Sequence, residues 1–271
     1  MTDWLSPDAA LLTDRVAVVT GAAQGIGEAT AVGLARFGAH LAICDRNVSG
    51  MEATAAGIEA AGRQALTGEL DVRDPEAVEA FVGQVEERYG HVDVLVNNAG
   101  GTFWSDFLDV SPKGQDALVR ENFTSVTHFI RGCVPLMGER GGSIVNVTSI
   151  EAHRAGPGFA VYSAMKAAVE NLTKSLALEL ADRRIRVNCV APDMIPTPGD
   201  TGLGEMAQAL DQRTWSPQVW PIEATPDDCA ATIVFLAGDL ARFVTGSTVH
   251  PDGGNLASAG WKRLPDGKWI L

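Results

Sequence analysis

The chain has 271 residues, 46% of them hydrophobic and 20% charged, the profile of a folded chain with a sizeable core, which excludes disorder, collagen-like repeats and small disulfide scaffolds. With 21 Lys+Arg against 34 Asp+Glu the net charge is −13, a field that repels nucleic acid and anionic lipid, and no basic run offsets it.

In chain order, the β-rich run 15–20 predicts a buried strand and 25–37 the helix after it. Residues 40–44 predict a second strand. Helical spacing over 48–61 stops at Gly62, a C-terminal signal, and 64–70 reads as a third strand. Asp74, Pro75 and Glu76 supply an N-cap, a first-position proline and a first-turn acid for a helix that ends at Tyr89 and Gly90. A strand at 92–96, a long helix over 112–137, a strand at 143–148, a helix over 161–181 and a strand at 185–190 follow. The strand cores carry apolar residues at consecutive positions, as strands covered on both faces do. Strands alternating with helices call for a parallel sheet sandwiched between helices. The expectation is α/β: a single doubly wound Rossmann-type domain over 1–271, with about seven strands. Residues 193–225, rich in Pro and Gly, read as a substrate loop or lid, and 255–271 as a C-terminal tail in which Trp261 and Trp269 seek burial.

Cys44, Cys133, Cys189 and Cys229 lie far apart in apolar stretches and read as buried free thiols. No metal site is expected. Residues 1–7 carry no basic or apolar leader pattern, and no stretch of about eighteen apolar residues occurs. A cytoplasmic protein without membrane or nucleic-acid partners is expected.

The first chemical signal is Gly21-Ala22-Ala23-Gln24-Gly25-Ile26-Gly27, where a strand hands over to a helix. Glycines there let the backbone approach a pyrophosphate at the positive helix N-terminus, although they can also simply close a β–α turn. Asp45 ends the second strand, where a carboxylate can take adenosine ribose hydroxyls and would repel a 2′-phosphate. That favours NAD over NADP. Arg46 argues the other way, since a guanidinium can bind a phosphate.

The second signal is Tyr162 and Lys166, four apart and on one face of a helix. A cation ~4–5 Å from the phenol at an effective dielectric of ~20 contributes roughly 3–4 kcal/mol. That would bring Tyr162 to an apparent pKa of roughly 7–8, usable for proton transfer at neutral pH. Ser149 follows a strand at the sheet edge where ligands bind in open parallel sheets, and Asn97-Asn98-Ala99-Gly100 ends another strand the same way. Asn122 is a poor helix former inside a helical stretch, which hints at a task other than packing.

TGxxxGIG, NNAG, Asn, Ser and YxxxK in this order resemble the short-chain dehydrogenase/reductase family over about residues 13–254. The resemblance implies a hydride-transferring alcohol dehydrogenase or carbonyl reductase with Asn122, Ser149, Tyr162 and Lys166 as the catalytic four. Ser149 would bond the substrate oxygen and Tyr162 exchange its proton. Lys166 would lower the Tyr pKa and hold the nicotinamide ribose, and Asn122 would hold a water. The cofactor set it implies is Gly21, Gln24, Gly25, Ile26, Gly27, Asp45, Arg46, Asp71 and Val72 at the adenine, Asn98, Ala99 and Gly100 beside the central strand, Tyr162, Lys166, Pro192 and Thr197. One departure stands out: the family's Pro-Gly is Pro192-Asp193 here. Phe103, Trp104, Met194, Trp215 and Trp220 fall in segments that border the substrate in family members. They suggest a bulky apolar alcohol or ketone, hydroxysteroid-like, with a 3-oxoacyl thioester as the alternative. A non-catalytic NAD-sensing protein is the rival of another class. The apolar surface of helix 161–181 is wider than one stripe. With the family's helix pairing it implies a homotetramer, or failing that a dimer.

Overall fold

Strands covered on both faces need small or apolar side chains at every position, and β1 (Val16–Thr20) is buried at all five. The computed structural model describes residues 4–193, 195–199 and 219–271. After β1 come α1 (Gly25–Arg36), β2 (His40–Asp45), α2 (Val48–Ala60), β3 (Ala65–Glu69), α3 (Pro75–Tyr89) and β4 (Val94–Asn97). Then follow α4 (Pro112–Val119), α5 (Ser125–Cys133), β5 (Gly142–Val147), α6 (Ala160–Glu179), β6 (Ile185–Val190), α7 (Pro226–Ala237) and β7 (Thr248–Val249). All seven strands are parallel, in the order β3-β2-β1-β4-β5-β6-β7. This is the doubly wound Rossmann-type sheet the alternation calls for.

Side-chain alternation splits the core. Ala17 and Val19 point to the face that packs Leu34 of α1, Ile58 of α2 and Ile233 of α7. Val18 points to the other, with Phe81 of α3, Phe129 of α5 and Val169 of α6. The four cysteines are buried and free, as expected. The chain leaves β1 for β2 and β3 on one side and returns to β4 on the other. The gap this opens at the carboxyl ends of β1 and β4 is a topological switch point, where ligands bind.

Three elements differ from the sequence reading. The helix expected over 112–137 is broken: a π turn at Arg120–Thr124 separates α4 from α5, and Val134–Met137 is a 3-10 turn. The helix α7 lies beyond the last element read from the sequence, although its start carries a signal: Pro226 in the first turn, and Asp228 accepting from the Thr225 N–H and hydroxyl, both at 2.8 Å. The seventh strand, β7, has only two residues, too few for a periodicity. The tail holds one turn, α8 (Asn255–Ser258), and an antiparallel pair of β8 (Lys262–Arg263) with β9 (Trp269–Ile270). Trp261 and Trp269 remain 47% and 44% exposed in the single chain. Most of the loop expected over 193–225 lies outside the described residues, as do Met194 and Trp215.

Candidate active site

At the end of β1 the chain turns through Gly21 and Gly25, both at positive φ (65° and 60°), where a side chain is strained. Gly27 is needed for space: a Cβ there would sit 2.0 Å from the Gly21 carbonyl oxygen and 2.5 Å from the Asn98 amide. Asn98 locks this turn by donating Nδ2 to the Thr20 and Gly21 carbonyls at 3.0 and 2.9 Å. In return, Thr20 Oγ1 accepts the N–H groups of Asn98 and Ala99 at 3.1 and 2.9 Å. The NNAG segment at the end of β4 is therefore the brace of the glycine turn. Gln24 starts α1 without a side-chain cap, which leaves the first-turn N–H groups to a ligand.

Beside it lies a cleft of about 430 Å³, the size of a cofactor site. Gly21, Gln24, Gly25, Ile26, Gly27, Asp45, Arg46, Val72, Asn98, Ala99, Gly100, Pro192 and Thr197 all line it, with Ser149, Tyr162 and Lys166. The glycine cradle and the uncapped helix start fit the pyrophosphate of a dinucleotide. Asp45 is oriented by accepting the Ala23 and Asn47 N–H groups at 3.1 and 3.0 Å, which leaves lone pairs for ribose hydroxyls. Arg46 stands 3.9 Å from Asp71 and 3.7 Å from Glu121. Asp71 is not among the lining residues: its carboxylate is engaged by Arg73, which holds it down to about 2. Thr197 packs against Gly25, where a Cβ would meet it at 3.2 Å.

At the other end of the cleft, Lys166 is 5% exposed and donates Nζ to the Val147 carbonyl at 2.9 Å. Burial pushes its ammonium down to about 8. Nζ lies 5.5 Å from the Tyr162 ring centre, so the i, i+4 pairing on α6 is realised. Ser149 Oγ accepts the Glu151 N–H at 3.2 Å. Asn122, fully buried, sits in the π turn and does not line the cleft. It donates Nδ2 to Gly101 and Leu118 carbonyls at 2.9 and 3.0 Å and accepts the Gly101 N–H at 3.3 Å.

The aromatic side chains are placed differently from the sequence reading. Phe103, Phe107 and Phe159 line a small separate cavity, Trp104 packs on Gly158, and Trp220 is 62% exposed. None of them lines the main cleft. His153 does not line it either; its Nε2 is 3.1 Å from Nε2 of His250 and 3.3 Å from Glu170. Sequence reasoning missed Glu121 and Ile195, both in the cleft wall. Glu121 had one signal, its place next to Asn122; Ile195 had only its place in the 193–225 segment read as a substrate loop. No helix among the described residues is long and apolar enough to cross a membrane.

A family model described as enoyl-(acyl carrier protein) reductase matches residues 21–255. The chain is 36% identical to the 3-oxoacyl-(acyl-carrier-protein) reductase FabG of Thermotoga maritima, over 90% of this chain and 98% of that protein. It is 35% identical to a 3beta-hydroxysteroid dehydrogenase of Mediterraneibacter gnavus, over 89% and 94%. The crystal structure of a short chain dehydrogenase from Mycobacterium paratuberculosis bound to NAD superposes with a TM-score of 0.83 at 31% identity, covering 91% of this chain and 99% of that one.

Proposed function

The chain belongs to the short-chain dehydrogenase/reductase family and is an oxidoreductase acting on CH–OH groups; from that premise we propose that it interconverts a secondary alcohol and a ketone with NAD(H), Tyr162 exchanging the proton. The observation that carries the reading is the convergence of Ser149, Tyr162 and Lys166 with the glycine cradle on one cleft. When bound, the nicotinamide supplies or takes the hydride.

In this reading the uncapped start of α1 and Gly21–Gly27 hold the pyrophosphate, and Asp45 takes the adenosine ribose hydroxyls. Asp45 is the support for NAD, since an added phosphate would meet its carboxylate. Val72 borders the adenine, with Asp71 fixing that turn through Arg73. Ser149, whose oxygen already accepts from the Glu151 N–H, donates a hydrogen bond to the substrate oxygen and keeps its proton. The Tyr162 phenol gives or takes the proton there. Lys166 uses one of its three donors on Val147 and keeps the others for ribose hydroxyls and a charge facing the phenol. Asn122 holds the Gly101 backbone and, through it, the water of the relay.

For the substrate we favour an alcohol or ketone with a bulky apolar body. The likeness to the 3beta-hydroxysteroid dehydrogenase of Mediterraneibacter gnavus supports it. The likeness to FabG favours a 3-oxoacyl thioester as the second reading. A panel holding ring alcohols and 3-oxoacyl thioesters, followed by NADH and NADPH absorbance, separates them. Tyr162→Phe is expected to abolish turnover while NADH still binds. Activity above about a tenth of wild type, a loss under ~1.4 kcal/mol, would remove Tyr162 from the proton step.

The same reading includes assembly. Leu178 on α6 and Phe243 are 80% and 99% exposed in the single chain, surfaces that call for cover. A homotetramer is expected, with a dimer as the smaller assembly. Light scattering that gives a monomer at micromolar concentration would overturn this.

A further inference from the structure

Asp193 stands where the family pattern has glycine, and its carboxylate faces the cleft wall with 10% of the side chain exposed. A carboxylate so enclosed is costly unless partnered. Two of its partners come from distant parts of the chain. Asn255, the first residue of α8, donates Nδ2 to one carboxylate oxygen. Arg154 places Nη2 3.7 Å from the other.

Each partner is itself held. Arg154 donates Nε and Nη2 to Glu151 at 3.0 and 2.7 Å, and the Glu151 N–H donates to the Ser149 hydroxyl at 3.2 Å. On the far side Asp252, 5% exposed, accepts the N–H groups of Gly254 and Leu256, both at 2.8 Å, and so shapes the turn that presents Asn255. The Gly253 carbonyl of that turn accepts from Val219 and Trp220 at 2.8 and 2.9 Å. The Glu151 carboxylate and the Ser163 hydroxyl close on one point: a Cβ at Gly156 would meet Glu151 Oε2 at 2.6 Å and Ser163 Oγ at 2.5 Å. A glycine at 193 would leave the Ser149 loop and the 252–255 turn unconnected at this point.

We propose that Asp193 is a positioning residue that, through Arg154 and Asn255, fixes the Pro192 wall of the cleft relative to Ser149 and so sets how the substrate is placed. The proposal rests on the reading of the cleft as the active site. The network lies away from the pyrophosphate and adenosine positions: Gly21–Gly27 and Asp45 share no residue with it.

The test compares Asp193→Gly, Asn255→Asp and the swap D193N/N255D, measuring kcat and KM for the best panel substrate, the NADH dissociation constant by fluorescence, and Tm. Asp193→Gly is expected to lower kcat/KM about 10–100-fold with NADH affinity within about threefold of wild type. Asn255→Asp, which sets two carboxylates face to face, is expected to fall as far. The swap restores an amide donating to a carboxylate and is expected to recover at least a third of the logarithmic loss. Wild-type kcat/KM in Asp193→Gly overturns the proposal. So does a parallel loss of NADH affinity and Tm that the swap does not repair, because that marks support of the fold alone. A wild-type enzyme that turns over nothing in the panel overturns the active-site reading, and this proposal with it.

Discussion

The Lys166 ammonium lies 5.5 Å from the centre of the Tyr162 ring, one helical turn away, with burial holding it down to about 8. The folded chain therefore binds this proton less well than the unfolded chain, whose lysine titrates near 10.5. Below about 8 both states are protonated and the folded state carries the full desolvation cost. Between about 8 and 10.5 the unfolded state holds the extra proton, so stability rises with pH across that window. Urea melts of wild type and Lys166→Met at pH 7 and 9.5 should show wild type gaining about 2 kcal/mol on the variant. The variant is expected to lose turnover and bind NADH more weakly. A constant difference between the two pH values would show that the lysine is not desolvated.

Asn122 and Gly101 exchange hydrogen bonds across the π turn. Asn122→Leu removes the side-chain partner of the part-buried Gly101 N–H and carbonyl and of the buried Leu118 carbonyl, a loss of about 1–3 kcal/mol for a group left unsatisfied. A Tm lower by about 2–10 °C is expected, with kcat down at least about tenfold. Calorimetry and steady-state rates check this. An unchanged kcat at reduced Tm would confine Asn122 to the fold.

Asp45 and Arg46 pull cofactor choice in opposite directions. Asp45 is oriented into the cleft by two backbone N–H groups, whereas Arg46 is 59% exposed and turned to Asp71 and Glu121. NAD is expected to exceed NADP at least tenfold in kcat/KM, about 1.4 kcal/mol. Asp45→Ser should narrow that ratio by freeing the site for a phosphate beside Arg46. Equal wild-type rates with both cofactors would show Arg46 prevailing.

His250 and His153 meet Nε2 to Nε2 at 3.1 Å, with Glu170 3.3 Å from His153 and Lys174 3.0 Å from the other Glu170 oxygen. Burial first, and then His153, lower the His250 pKa below its usual 6.5; Asp252 and Glu170 oppose this more weakly. The unfolded chain takes up that proton first as pH falls, so this contribution is complete above 6.5 and is lost below it. Tm measured from pH 8 to 5 should fall faster in wild type than in His250→Gln. Parallel curves would show that His250 takes no part in acid sensitivity.

Much of the framework could be read locally. Gly27 is legible because a strand–turn–helix with no room for a Cβ is encoded within seven residues. The Asp74–Pro75–Glu76 start of α3 is equally local, and both Asp74 cap bonds form. Tyr162 and Lys166 are legible because helical geometry alone puts residues four apart on one face. The broken helix at Arg120–Thr124 was not legible: its widened turn is held by Gly101, 21 positions away.

What only the tertiary structure decided are contacts between distant segments. Periodicity reports which face of an element is buried, but it carries no information on which side chain from another element arrives there. His153 meets His250 across 97 positions and Asp193 meets Asn255 across 62, because parallel crossovers bring the ends of β5, β6 and β7 to one edge of the sheet. In the sequence, Phe103 and Trp104 suggested a bulky apolar substrate. Backbone pairing of Ser105 with Gly158 at 3.1 Å holds their segment against the start of α6, beside the main cleft.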